Sequence, residues 1–163
     1  MYFQQSDLLR GMSKDFIKAF MNITLKESHK PGYLLFQEGD RATHFYILLK
    51  GRVKLTIGED GHTVYRVDKP GEVFGWSSLV GREQYSATAE CREPTKLLRV
   101  DVKELHQIFD REPGNGRIFY RHLAATLGNR LLQTYRMTSS MSRAGISQSF
   151  GTGRVQESEA TIA

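Results

Sequence analysis

The residues best placed to do chemistry fall within residues 71–89, where small side chains, two serines and an arginine surround a short run of helical character. Phe74 and Gly75 lead into Trp76, Ser77, Ser78 and Leu79, a segment predicted to form a short helical turn. The first N–H groups of such a turn have no partner inside it, and with the positive end of the helix dipole they attract an anion. Ser77 or Ser78 would add a hydroxyl, and Arg82 lies in the following loop, where it could swing toward a phosphate. The small run Ser86, Ala87, Thr88 and Ala89 would let a ligand lie close to a strand. Trp76 and Tyr85 suit either an aromatic ligand or a pocket that they fill themselves. The chemistry expected is recognition of a small anionic ligand.

Other constellations are weaker. The five histidines, His29, His44, His62, His106 and His122, include no His-x-His pair, so no metal site is expected from their spacing. There is no Gly-x-Ser-x-Gly elbow for a serine nucleophile, because Gly75 is followed by Trp76, Ser77 and Ser78 without a second glycine in place. Glu38 and Asp40 flank Gly39 and read as a turn. Cys91 is the one cysteine and can form no intrachain disulfide. No cofactor and no enzymatic activity are expected.

Those residues must be positioned by a chain of 163 residues, enough for one domain with an appendage. Apolar residues make up 39% and charged residues 25%, so a packed core is feasible. The longest apolar run, residues 45–49, is far below the roughly 20 residues that span a membrane. The N-terminus carries no secretion signal, which leaves a cytoplasmic location as the expectation. The net charge of +5 is scattered; the tightest group, Arg117, Arg121 and Arg130, is not interleaved with aromatics as a single-strand platform would be. DNA binding is not expected of this chain alone.

Residues 6–21 read as helical, with apolar side chains near a 3.6-residue period and Ser13 placed to cap a second helix after Gly11. From Ile23 the pattern changes to short strands, residues 23–25, 33–36, 45–49, 53–57, 62–67, 87–91 and 97–100. Turn signals recur between them, including a hairpin turn at residues 58–61. Asp101 then caps a helix, with Glu104 in the box position. Residues 113–116 break the chain, and residues 117–135 form a long helix with Phe119, Leu123, Leu127 and Leu131 in an i, i+4 ladder. Of residues 138–163, 12 are Ser, Thr or Gly, and apolar periodicity is lost, so this tail is expected to be unstructured on its own. The fold expected is mainly β with flanking helices, a β-roll or jelly roll. Its parts are a helical segment at 1–22, the roll at 23–100, helices at 101–137 and the tail at 138–163.

Three local signatures, in order and at matching spacing, make the chain resemble a cyclic-nucleotide-binding domain of the catabolite-activator and FNR type. They are residues 32–40 (GYLLFQEGD), residues 45–53 (FYILLKGRV) and residues 69–75 (KPGEVFG). The resemblance covers residues 6 to 137 and implies a phosphate-binding cassette at residues 75–87. In that family a Glu in the cassette accepts from the ribose 2′-hydroxyl and an Arg pairs with the cyclic phosphate. Here Trp76 stands at the Glu position and Tyr85 at the Arg position. Losing a charge-assisted contact costs about 1.5–3 kcal/mol, so cyclic AMP or cyclic GMP is not expected to bind in the family's usual manner.

The resemblance also implies that the long helix pairs with its twin. Leu132 and Tyr135 widen its apolar face beyond one stripe, which suits a homodimer through residues 117–136. The expectation is a stand-alone, non-enzymatic regulatory module that senses a ligand or engages a partner protein. Occupation of the cassette would shift the position of the long helix, and Trp76, the one tryptophan, would report it by fluorescence. Two alternatives stay open: a degenerate scaffold acting only through protein contacts, and a transcription regulator whose DNA-binding domain lies outside this chain.

Overall fold

The computed structural model describes residues 6–141. A 3-10 turn over Asp7–Leu9 leads to α1, Lys14–Asn22. The Ser13 hydroxyl accepts from the Phe16 N–H at 3.1 Å, satisfying one of the helix's orphan donors as the sequence predicts. Eight strands follow: β1 Thr24–His29, β2 Leu34–Phe36, β3 His44–Lys50, β4 Val53–Ile57, β5 His62–Val67, β6 Val73–Phe74, β7 Thr88–Cys91 and β8 Thr95–Asp101. They form two antiparallel sheets, in the orders β1-β8-β3-β6 and β2-β7-β4-β5. The chain is thus a β-roll with flanking helices.

Strand β3 shows why the roll is stable. Its apolar run is buried on both faces, as befits the middle of a covered sheet. Phe45 and Ile47 point to a cluster shared with Phe16 and Phe20 of α1, while Tyr46 and Leu48 point between the two sheets. β8 repeats this division, with Leu98 and Val100 on the helical side and Leu97 on the other. The predicted hairpin forms, with Val53 opposite Val67 and Ile57 opposite His62. At the β3–β4 turn Gly51 has φ +105°, and a Cβ there would stand 2.7 Å from the Pro94 carbonyl oxygen, so only glycine fits.

Helix α2 runs Val102–Arg111, capped by Asp101, whose carboxylate accepts from the Glu104 N–H at 2.9 Å. The long helix α3 spans Pro113–Met141, longer at both ends than the sequence pattern predicts. Pro113 and Gly114 read as breakers, but a proline in the first helical position sacrifices only an N–H that has no partner there. The interruption is therefore confined to Glu112. Residues 138–141, expected to begin the tail, continue the helix; the rest of that tail, 142–163, lies outside the described residues. One compact unit reaches Leu127, and Gly128 begins a second. In the first, Phe119 and Leu123 are buried and Leu127 packs against the same core. In the second, Leu131, Leu132, Tyr135 and Met137 are each at least half exposed.

Candidate functional site

The cassette begins where β6 ends. Gly75 takes φ +71°, and a Cβ there would come within 3.0 Å of Tyr46 Cδ2 and 3.3 Å of Phe36 Cε1. The glycine thus supplies both the left-handed backbone and the room for two aromatic rings beneath it. A single 3-10 turn follows, Trp76–Leu79. The Ser77 carbonyl closes it, accepting from the Val80 N–H at 3.3 Å and the Arg82 N–H at 3.1 Å.

The two serines turn inward. The Ser78 hydroxyl donates back to the Gly75 carbonyl at 3.0 Å, and the Ser77 and Ser86 hydroxyls share a hydrogen bond at 3.3 Å. Ser77, Ser78 and Leu79 are buried, so the hydroxyls proposed for a ligand are occupied in holding the turn. Arg82 is exposed and lines a shallow cleft with Glu83, Gln84, Tyr85 and Ser86.

The two positions that depart from the family pattern go to opposite sides. Trp76 is partly buried against the helical-side core that contains Leu79, Phe109 and Phe119. Tyr85 points between the sheets, 5% exposed, with its ring stacked on Phe36 at a centroid distance of 3.8 Å. Phe36 in turn stacks on Tyr46 at 5.6 Å, and Tyr46 on Phe74 at 5.2 Å. Ala87 packs beside Tyr85 on the same side. The phenol is also tied down at its tip: its hydroxyl donates to the His44 carbonyl at 2.6 Å and accepts from the His44 N–H at 3.1 Å.

The loop carrying Tyr85 is fastened to the loop before β3. Gly39 N–H donates to the Tyr85 carbonyl at 3.0 Å, Tyr85 N–H to Asp40 at 2.9 Å, and Ala42 N–H to Glu83 at 2.8 Å. Burial pushes the hydroxyl pKa of both Tyr46 and Tyr85 above the usual phenol value, so both rings remain neutral. Burial, followed by the Arg99 guanidinium, holds the His44 imidazole below its usual value, against the pull of Asp101. This arrangement is a closed aromatic stack, with a neutral phenol at position 85.

A second feature had no local signal in the sequence. An open cleft of about 1120 Å³ lies between residues 39–43 and 83–84 on one side and the first three turns of α2 on the other. Arg41 and Lys103 stand in it with Glu83, Asp101 and Asp110. Three separated segments build it, so no spacing rule could have found it. Among the described residues no group of three His, Cys, Asp or Glu side chains could hold a metal ion, and no helix is long and apolar enough to cross a membrane.

The model of the cyclic nucleotide-binding domain family matches residues 26–112. The cyclic AMP receptor protein of Thermus thermophilus is 27% identical over 129 residues, covering 77% of this chain and 57% of that protein. An uncharacterised protein of Mycobacterium tuberculosis is 34% identical over 74 residues, 45% of this chain but 14% of that protein. The chain therefore spans less than two thirds of these relatives' lengths. A solved cyclic nucleotide-binding domain from Methylobacillus flagellatus superposes with a TM-score of 0.76 over 90% of this chain and 83% of that one, at 18% identity, a likeness of fold.

Proposed function

The chain belongs to the cyclic nucleotide-binding domain family, and from that premise we propose that it is a non-catalytic regulatory module whose cassette is closed by its own Tyr85. The observation that carries this reading is the ring's position: stacked at 3.8 Å on Phe36 and hydrogen-bonded at its tip to β3. A cyclic nucleotide entering in the charged-pair manner would have to expel that ring and would find no guanidinium at position 85. With Trp76 drawn into the helical-side core, position 76 supplies no carboxylate for a ribose either.

Such a module acts through its surfaces. The exposed Leu131, Leu132, Tyr135 and Met137 of α3 support pairing with a second copy of the chain. Phe119 and Leu123, by contrast, are committed to the domain's own core. A second reading, the sensing part of a DNA-binding regulator, is favoured by the alignment with the Thermus receptor protein along 77% of this chain. Salt-dependent binding of duplex DNA by a longer protein that contains this chain would support that reading.

Calorimetric titration with cyclic AMP and cyclic GMP tests the leading reading. No saturable heat is expected with either nucleotide. Micromolar binding by the unaltered protein would overturn it, because the closed stack leaves no room for that affinity.

A further inference from the structure

One peptide unit joins the cassette to the helical layer. The Thr43 carbonyl accepts from the Val102 N–H at 3.1 Å, and Val102 is the first residue of α2. The N–H of that same unit belongs to His44 and donates to the Tyr85 hydroxyl at 3.1 Å. The hydroxyl then donates to the His44 carbonyl at 2.6 Å, so a single side-chain oxygen satisfies both polar groups of His44. A strand edge normally gets such a pair of bonds from a neighbouring strand. Here β6 pairs with β3 only at Tyr46 and Ile47, and the phenol stands in beyond the end of that ladder.

We propose that the peptide unit between Thr43 and His44 is a mechanical and electronic relay from the cassette to α2, with the Tyr85 hydroxyl at its sending end. An amide is planar, and its carbonyl and N–H cannot reorient separately. Hydrogen bonds in series through one amide also polarise each other, so losing one weakens the next. Two parallel ties act with it. The ribbon of bonds between residues 39–42 and 83–85 makes the two loops move together. On the α2 side, His44 Nε2 lies 3.6 Å from the carboxylate of Asp101, the residue that caps that helix.

The relay deepens the reading proposed above, since it gives a closed cassette a way to act on the helices without a ligand. It also gives the neighbouring cleft a meaning. Thr43 and Val102 both line it, so anything seated there touches the relay where it meets α2.

Residue-resolved amide exchange in Tyr85→Phe provides the test, because phenylalanine keeps the ring and removes the oxygen. The Val102 amide should exchange roughly three- to tenfold faster than in the unaltered protein, the change one ordinary hydrogen bond represents. Amides in the middle of β4 and β8 should stay within about twofold. A control is Tyr65→Phe, which loses a 2.7 Å hydroxyl bond to Glu72 elsewhere in the roll. It should leave Val102 unchanged. An unaltered Val102 amide in Tyr85→Phe would overturn the relay, and so would an equal rise in both variants, which would mean general loosening. Nucleotide titration decides whether the cassette is closed, whereas amide exchange decides the relay, so either can fail alone.

Discussion

The cassette and the cleft against α2 share the same two loops, residues 39–43 and 83–85, yet their two faces differ in kind. On the inner face every ring and hydroxyl is already matched: Tyr85 on Phe36 and His44, Ser78 on Gly75, Ser77 on Ser86. On the outer face, Arg41, Lys103, Glu83 and Asp110 stand in water around an open cleft. The contrast teaches where specificity can reside. A surface whose groups are satisfied internally contributes stability and rigidity, whereas one whose charges remain solvated can recognise something that arrives. On the reading proposed above, the cassette of this chain is structural.

Substitutions in the two faces should separate them sharply. The largest effect is expected from Tyr85→Ala, which removes a buried ring and both hydrogen bonds to His44; a loss of about 3–5 kcal/mol should be measured by urea unfolding. Gly75→Val should follow at about 3 kcal/mol, since the residue has φ +71° and its side chain would press on Tyr46 and Phe36. At the cleft, Lys103→Gln should change stability by no more than about 0.5 kcal/mol, because its ammonium is solvated. A loss there as large as that for Tyr85 would dissolve the distinction.

Solution pH sharpens the same comparison. Tyr46 and Tyr85 have hydroxyls raised above the ordinary value of 10.0 by burial, so the folded state resists their ionisation. Their contribution is complete below pH 10 and is lost as pH climbs above it. Absorbance at the phenolate band, followed with unfolding, should show these rings ionising only as the roll opens. His44 behaves in the opposite sense. Its folded value lies below 6.5, so stability is complete above that pH and falls as acid charges the imidazole. Replacing His44 with glutamine should flatten the acid side of the stability profile and leave the alkaline side unchanged.

The sequence carried the local devices well. Ser13 and Asp101 were legible as caps because capping depends on residues three apart, and the hairpin of β4 and β5 because its turn lies within four residues. Pro113 misled, since the same residue that breaks a helix interior is well suited to its first position. Tyr85 is legible as a departure from the family pattern, but the pattern alone does not say where its ring goes. One signal pointed to it: stepping back by two along β7, Cys91, Ala89, Ala87 and Tyr85 occupy one face, and that face is the interior. Nothing local could reveal that its hydroxyl would meet His44, forty-one residues earlier. The cleft was invisible for the same reason, being assembled from segments distant in the chain.

The central claim is that the Tyr85 ring occupies the space a ligand would use. Calorimetric titration of phenol into Tyr85→Ala and into the unaltered protein tests it most directly. An apolar void left by a deleted ring binds a molecule of its shape, and a bound molecule raises the melting temperature by mass action. Saturable phenol binding by Tyr85→Ala, with a rise in its melting temperature and no binding by the unaltered protein, is the predicted result. Equal behaviour of the two proteins would mean that the ring does not close the cassette, and the account would fail at its first step.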